Sequence, residues 1–244
     1  MNESLAASIR ERYLHTLARI ADAAAGAGRK PEAVRLVVVS KSQPLEVIRA
    51  ATAAGISIFG ENYAEEALGK IAALKETEVE WHMIGHVQSR KADMIAAHFT
   101  MLHSLDSSKL AVRLDHFCGE LNRTLPVLLE FNVSGEESKF GFPAWEEGRW
   151  LDLQPDIEKI LALSHLSVQG LMTMPPFFDD PERTRPYFQR LRRLQENLAA
   201  HFPQVQWREL SMGTSVDYVA AVQEGATYVR VGTAILGPRT INNK

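Results

Sequence analysis

Apolar residues fall along this chain in short runs separated by longer stretches of mixed polarity. Leu36, Val37, Val38 and Val39 form a continuous run rather than an alternating one, the pattern of a strand covered on both faces. Comparable runs predict strands near 34–40, 56–59, 81–84, 100–104, 126–132, 167–173, 207–211 and 227–231. The segments between them, near 45–54, 62–76, 87–97, 107–122, 145–162, 181–200 and 215–224, carry helical patterns. Strands separated by helix-length segments imply βαβ units and a parallel sheet. Eight of them in 244 residues predict an α/β fold of the (β/α)8 TIM-barrel kind.

Seven helices fit between eight strands, so the outer ring lacks one. Residues 3–25 supply it, because Leu5, Ile9, Leu14, Leu17 and Ile20 recur there at roughly helical spacing. "GAGRKP" ends that helix, with Gly26 or Gly28 as the cap glycine and Pro31 beyond. No Gly/Ser/Pro-rich linker and no repeat interrupts the pattern, so residues 1–244 read as a single barrel domain. An open doubly wound sheet is the rival and normally needs fewer strands.

Composition narrows the function classes. With 45% hydrophobic and 23% charged residues and a net charge of -3, neither nucleic acid nor an anionic membrane is the expected partner. Cys118 is the only cysteine, which excludes an internal disulfide and a cysteine-rich zinc site. Glu3, Arg10, Glu11 and Arg12 break the first segment as a signal-peptide core, and no apolar run approaches membrane-spanning length. A cytoplasmic location is expected.

In a barrel, chemistry collects where strands end on the C-terminal face. Those positions hold Ser40 and Lys41, then Gly60, Glu61 and Asn62, then Gly85 and His86, then Asn132 and Ser134, then Thr173. The last two strands are followed by Gly213, Thr214 and Ser215 and by Gly232 and Thr233. Taken singly, glycine and serine are ordinary loop residues. Together, "SMGTS" running into a predicted helix and "VGTA" after the last strand make a phosphate site, with glycines for close approach and hydroxyls and N–H groups as donors.

Lys41 alone would be read as a solvated loop lysine. Facing a phosphate cradle across the barrel mouth, it suits a phosphorylated aldehyde held as an imine, and pyridoxal phosphate is the candidate cofactor. Arg230, inside the last strand and just before Gly232, is placed either to meet the pyridine nitrogen or to serve as a snorkelling or salt-bridged strand arginine.

The motifs "VVSKSQP", "FGENYAEEALGK", "WHMIGHVQSRK", "FNVSGEESKFGF", "GLMTMPP" and "LSMGTSVDYVAAVQEGATYVRVGTAILG" occur in this order. In them the chain resembles the pyridoxal-phosphate homeostasis proteins, which are built like the barrel domain of bacterial alanine racemase. The resemblance spans nearly the whole chain. It implies that Lys41 carries the cofactor, that Ser211, Gly213, Thr214, Ser215, Gly232 and Thr233 line its phosphate, and that Arg230 faces the ring nitrogen. Asn62, Met83 and Ile84 would pack around the ring. Thr214 stands where a methionine is common and Arg90 where an asparagine is common, and neither change removes a group that the cofactor needs.

Other signals lead elsewhere. His82 and His86 have the spacing of a helical metal pair, but Gly85 lies between them at a strand-to-helix turn, and no metal is expected. Glu136 and Glu137 read as a solvated acidic loop, and Lys139 as a surface lysine or a second amine near the mouth. Arg185, Arg190, Arg192 and Arg193 read as a solvated helix face, and Cys118 as packed or inert.

The expected function is a non-enzymatic carrier or buffer of pyridoxal phosphate, with the cofactor and the apoenzymes that use it as partners, on a monomer. The alternative is a pyridoxal-phosphate-dependent racemase or related enzyme. Against it stand an arginine at the ring nitrogen, which leaves a weaker electron sink, and a chain that ends just past the barrel. Tyr63 and Tyr218 are expected on helices and away from the ring. A pure interaction module would leave Lys41 and the phosphate loops unexplained.

Overall fold

In the computed structural model, which describes residues 3–238, the apolar run at 36–39 lies in strand β1 (Arg35–Val39). The strands that follow are β2 (Ile58–Glu61), β3 (Glu80–Met83), β4 (Met101–Leu105) and β5 (Leu125–Asn132). After them come β6 (Phe142–Pro143), β7 (Leu166–Met172), β8 (Glu209–Ser211) and β9 (Tyr228–Val231). Parallel pairing runs β4-β3-β2-β1-β9-β8-β7-β5, and a β4–β5 pairing closes the ring into an eight-stranded barrel. The two-residue β6 is an addition that pairs only with the end of β5, Phe142 opposite Phe131.

Helices α1 (Glu3–Gly26), α2 (Leu45–Ala53), α3 (Ala64–Ala73), α4 (Ala92–His98) and α5 (Ser108–Glu120) lie outside the barrel. So do α6 (Gln154–Leu161), α7 (Arg185–His201), α8 (Tyr218–Gln223) and α9 (Thr233–Leu236). α1 packs against α2, α8 and α9 and so takes the eighth place in the ring; of its predicted stripe Ile9 and Ile20 are buried, whereas Leu14 is 50% exposed. Two arginines seal it there. Arg12 Nε donates to the Ile235 carbonyl at 2.6 Å, and the Arg29 guanidinium donates to the carbonyls of Val222 and Ala226 at 2.7 and 2.9 Å.

Three predicted helices begin late, each after a 3-10 segment. The one near 145–162 is a tight 3-10 run, Glu147–Leu153, until Pro155 in the first turn of α6, because a proline ring clashes with the carbonyl four residues back. Likewise Pro181–Thr184 is a separate 3-10 turn capped by Asp180, and α7 starts with Pro186 in its first turn. Near 87–97, a 3-10 turn at Ser89–Lys91 precedes α4. The α7 arginines are largely tied down rather than a free basic face: Arg185 pairs with Glu182 and Glu224, Arg192 with Glu224, Arg193 with Glu147, and Arg190 donates to the Val133 carbonyl.

Strand alternation divides the apolar residues into two layers. Leu36 and Val38 join the buried layer under the helices, with Phe59, Leu102, Leu129, Ile48, Leu114 and Phe188. Val37 instead joins Met101, Leu128, Met172 and Tyr228 in a separate cluster inside the barrel. Two residues beyond Met101, Leu128 and Tyr228, and so one layer nearer the strand C-termini, stand His103, Glu130 and Arg230. All three are buried. The lumen therefore turns from apolar to charged as it approaches the site. None of the described helices is long and apolar enough to cross a membrane.

Candidate functional site

A cavity of about 610 Å³ opens at the C-terminal ends of the strands. Of the residues expected there from the sequence, Lys41, Asn62, Met83, Ile84, Thr214, Ser215, Arg230 and Gly232 line it. Ser211, Gly213 and Thr233 do not line it.

Lys41 follows β1 in a turn whose peptide groups are fixed on both sides. The Ser40 carbonyl accepts from Lys70 Nζ at 2.8 Å, and the Ser42 N–H donates to Glu66 Oε1 at 2.7 Å. Lys70 and Glu66 are one helical turn apart on α3 and are themselves paired at 2.6 Å. Lys70 Nζ also reaches Glu61 Oε1 at 2.7 Å, and Ser40 Oγ donates to the same oxygen at 2.7 Å. Glu61 is fully buried, and its Oε2 has no hydrogen-bond partner. Burial pushes its carboxyl up, against the pull of Lys70 and Ser40. The turn needs such support because Ser42 sits at φ 57°, a left-handed conformation that is costly for a residue with a Cβ.

Arg230 is held by acceptors that carry no charge. Its guanidinium donates to Ser211 Oγ at 2.5 Å, to the Thr173 carbonyl at 2.9 Å and to Met174 Sδ at 2.9 Å. Among the described residues it forms no salt bridge, so its charge is available to the cavity. Burial lowers its pKa to about 10, which leaves it charged at neutral pH. Ser211 thus lies beneath Arg230, inside the barrel, with its hydroxyl engaged there rather than at the phosphate loops.

Those loops are built without long helices. Gly213 sits at φ +92°, and a Cβ there would come within 2.5 Å of the Ala221 side chain, so the turn is closed to other residues. The Thr214 N–H and hydroxyl both bond Asp217 Oδ1, at 2.6 and 3.0 Å, and this turn delays α8 to Tyr218. Ser215 Oγ accepts from the Gly232 N–H at 3.3 Å and so joins the two loops. Thr233 is exposed in the first turn of α9. α8 and α9 have six and four residues, so backbone N–H groups and hydroxyls, not a helix dipole, are what this cradle can offer.

The cavity also gathers residues that the sequence did not single out for it. Glu130 lines it at 6% exposure, with Oε2 lacking a hydrogen-bond partner. Burial first, and the Asp106 carboxylate second, push its pKa up to about 7. Lys91, Met174, Phe140 and Tyr63 also line the cavity. Tyr63 directly precedes α3 and is 58% exposed at the mouth, so it is nearer the cavity than expected. Tyr218 is buried on α8 with the Arg19 guanidinium over its ring at 5.4 Å. Lys139 lies on the wall beside Glu136, 3.9 Å away. Phe140 stacks on His86 at 3.8 Å between ring centroids, while His86 Nδ1 meets Asp106 Oδ2 at 2.7 Å. His82 is turned into the lumen against His103, so the two histidines of "HMIGH" serve different surroundings. Cys118 is fully buried on α5, and burial pushes its thiol up.

Residues 11–240 match the family described as alanine racemase, N-terminal domain. A pyridoxal phosphate homeostasis protein of Pseudomonas aeruginosa is 42% identical over 232 residues, 95% of this chain and 96% of that one. One from Aquifex aeolicus is 39% identical over 229 residues, 94% of this chain and 97% of that one. Among solved structures, PipY of Synechococcus elongatus with PLP bound superposes with a TM-score of 0.80 at 36% identity, covering 94% of this chain and all of that one. A Clostridium difficile alanine racemase shares the fold at a TM-score of 0.67 and 14% identity, with 97% of this chain covering 58% of the enzyme. The chain belongs to the alanine racemase N-terminal domain family and, within it, groups with the pyridoxal phosphate homeostasis proteins.

Proposed function

We propose that this chain binds pyridoxal phosphate through an imine on Lys41 and acts in its homeostasis as a carrier or buffer that supplies apoenzymes. One observation carries the reading: Lys41, Thr214, Ser215, Gly232 and Arg230 line one cavity at the mouth of the barrel. The residues fit the group. Lys41, Lys91, Lys139 and Arg230 bring positive charge to a ligand that carries a phosphate, and Arg230 forms no salt bridge among the described residues. The likeness to PipY with PLP bound and to the pyridoxal phosphate homeostasis proteins points the same way. Lys41 would hold the aldehyde carbon, Thr214, Ser215, Gly232 and Thr233 would surround the phosphate, and Arg230 would donate to the ring nitrogen. Asn62, Met83 and Ile84 would flank the ring. Ser211 would support Arg230 rather than the phosphate. When bound, the cofactor supplies an electron sink. An arginine that donates a hydrogen bond without yielding its proton keeps that sink weak.

The purified protein should absorb as a lysine-linked pyridoxal derivative and bleach with borohydride. Peptide mapping should then find the pyridoxyl group on Lys41, and Lys41→Ala should fold but lack the band. A label found mainly on Lys139 would refute the assignment. Hydrogen bonds to charged partners contribute roughly 1.5–3 kcal/mol, so Ser215→Ala is expected to weaken binding about tenfold or more. Equal affinity for pyridoxal and pyridoxal phosphate would sink the cradle.

Glu130 favours a second reading, a racemase-like enzyme. A carboxyl titrating near neutrality in the cavity is a candidate acid–base partner for Lys41. Incubation of the loaded protein with L-alanine in deuterated water separates the two readings. The carrier reading expects exchange of the α-proton far slower than about one per second, the low end of ordinary turnover. Turnover at that rate, lost in Glu130→Gln, would make this an enzyme.

A further inference from the structure

Below the cavity, four polar contacts, the first three of them buried, run in series through the lumen and out to its far end. Arg230 donates to Ser211 Oγ, and Ser211 Oγ lies 2.8 Å from His103 Nδ1. His103 Nε2 lies 3.0 Å from His82 Nδ1, and His82 Nε2 lies 3.2 Å from Glu80 Oε2. β4 and β8 are not neighbours in the barrel, so the His103–Ser211 contact crosses the lumen. Ser211 and His103 are fully buried and His82 is 1% exposed, whereas the Glu80 side chain is 57% exposed. The Tyr228 ring meets both imidazoles edge-on, at 5.7 and 5.0 Å between centroids, and walls the row on one side.

The chemistry of the two ends fixes the direction of every hydrogen bond between them. A guanidinium only donates, and an ionised carboxylate only accepts. Glu80 accepts from His82 Nε2–H, so Nδ1 of a neutral His82 is bare and accepts from His103 Nε2–H. Nδ1 of His103 is then bare in turn and accepts the Ser211 proton, which leaves the serine lone pairs to Arg230. Every polar atom of the row is satisfied with both imidazoles neutral. A proton added to His103 would place N–H opposite the serine proton and break the series, and burial lowers the pKa of both rings.

We propose that Glu80, His82, His103 and Ser211 are positioning residues for Arg230, a hydrogen-bond chain of fixed polarity that keeps the Ser211 hydroxyl an acceptor and so aims the guanidinium into the cavity. The cofactor side of this inference rests on the proposed pyridoxal phosphate reading. The chain itself does not.

Two measurements test it. Long-range ¹H–¹⁵N spectra of the ligand-free protein at pH 7 should show His82 and His103 both protonated on Nε2 and bare on Nδ1. Glu80→Ala, at an exposed position, should let His82 populate its other tautomer without unfolding the barrel. A proton on Nδ1 of either ring in the wild type, an imidazolium, or no response to Glu80→Ala would overturn the chain. In the loaded protein, His103→Leu should release the cofactor about tenfold more readily and shift the absorbance band. His103→Gln, which can still accept from Ser211 and donate to His82, should stay within about threefold of wild type. Leucine and glutamine variants that behave alike, or a band and affinity unchanged in His103→Leu, would overturn the positioning role. Absence of the band in the wild type would instead overturn the cofactor reading, and the spectra of the ligand-free protein would still decide the chain.

Discussion

Replacing Lys70 with methionine is expected to destabilise the protein by about 3–5 kcal/mol, the cost of leaving one member of a buried ion pair without its partner. Lys70 is 5% exposed and Glu61 is fully buried, so solvent does not screen the pair. Methionine fills the space of the lysine stem but leaves Glu61 with the Ser40 hydroxyl alone, and the Ser40 carbonyl loses its side-chain donor. The remaining carboxylate is the source of the loss. A second substitution, Glu61→Gln in the Lys70→Met background, removes that charge and should recover more than half of it. Denaturant unfolding of the three proteins with comparable m-values measures both figures. A loss below about 1 kcal/mol in Lys70→Met would mean that the pair is as weak as an exposed one. The functional consequence is local, because Lys70 holds the peptide on one side of Lys41 and Glu66 holds the other. Lys70→Met should slow formation of the lysine linkage while leaving the phosphate loops untouched.

This clamp shows where the sequence stops being informative. The barrel was legible because runs such as 36–39 are short, rich in β-branched residues and apolar on consecutive positions, as a strand buried on both faces requires. Lys41, Arg230 and the glycine and hydroxyl loops were legible because they sit at strand ends, where a barrel concentrates its chemistry. The same continuity hides which side of a strand faces the lumen. Glu130 in "PVLLEFN" is a carboxyl inside an apolar strand, a signal as strong as Arg230, yet its cavity becomes visible only once Leu128 is known to point inward. Ser211 was grouped with its loop neighbours by proximity in sequence, while its hydroxyl belongs to the lumen. By spacing His82 pairs with His86, whereas in the structure its ring meets His103, 21 residues away on the next strand. Lys70 and Glu66 stand one helical turn apart, and nothing local in the sequence says that α3 turns them towards the peptide groups around Lys41. β6 and α9 are too short to leave a periodic trace. The first of them is defined by pairing with β5.

Glu130 should make the ligand-free protein lose about 3 kcal/mol of stability, relative to Glu130→Gln, as the pH is raised from 4.5 to beyond 7. The sign follows from the direction of the shift. In the unfolded chain this carboxyl titrates at its ordinary 4.5, and in the folded protein it titrates at about 7, so folding favours the protonated form. Its contribution is therefore fully present below 4.5 and lost as the pH rises through 7. At 6% exposure, burial outweighs the attraction of Arg230 and Lys139, and Asp106 adds repulsion. Glutamine mimics the protonated acid and does not titrate, so it removes the dependence without emptying the site. Unfolding free energies of both proteins at pH 5 and pH 8 give the difference directly, and parallel behaviour of the two would refute it. Cofactor binding extends the argument. A phosphate brought into the same cavity opposes ionisation of Glu130 further, so the wild type should take up more protons on binding near pH 7.5 than Glu130→Gln does. Calorimetry in buffers of different ionisation enthalpy reads that difference, and equal proton uptake by the two proteins would place the ligand's negative charge away from Glu130.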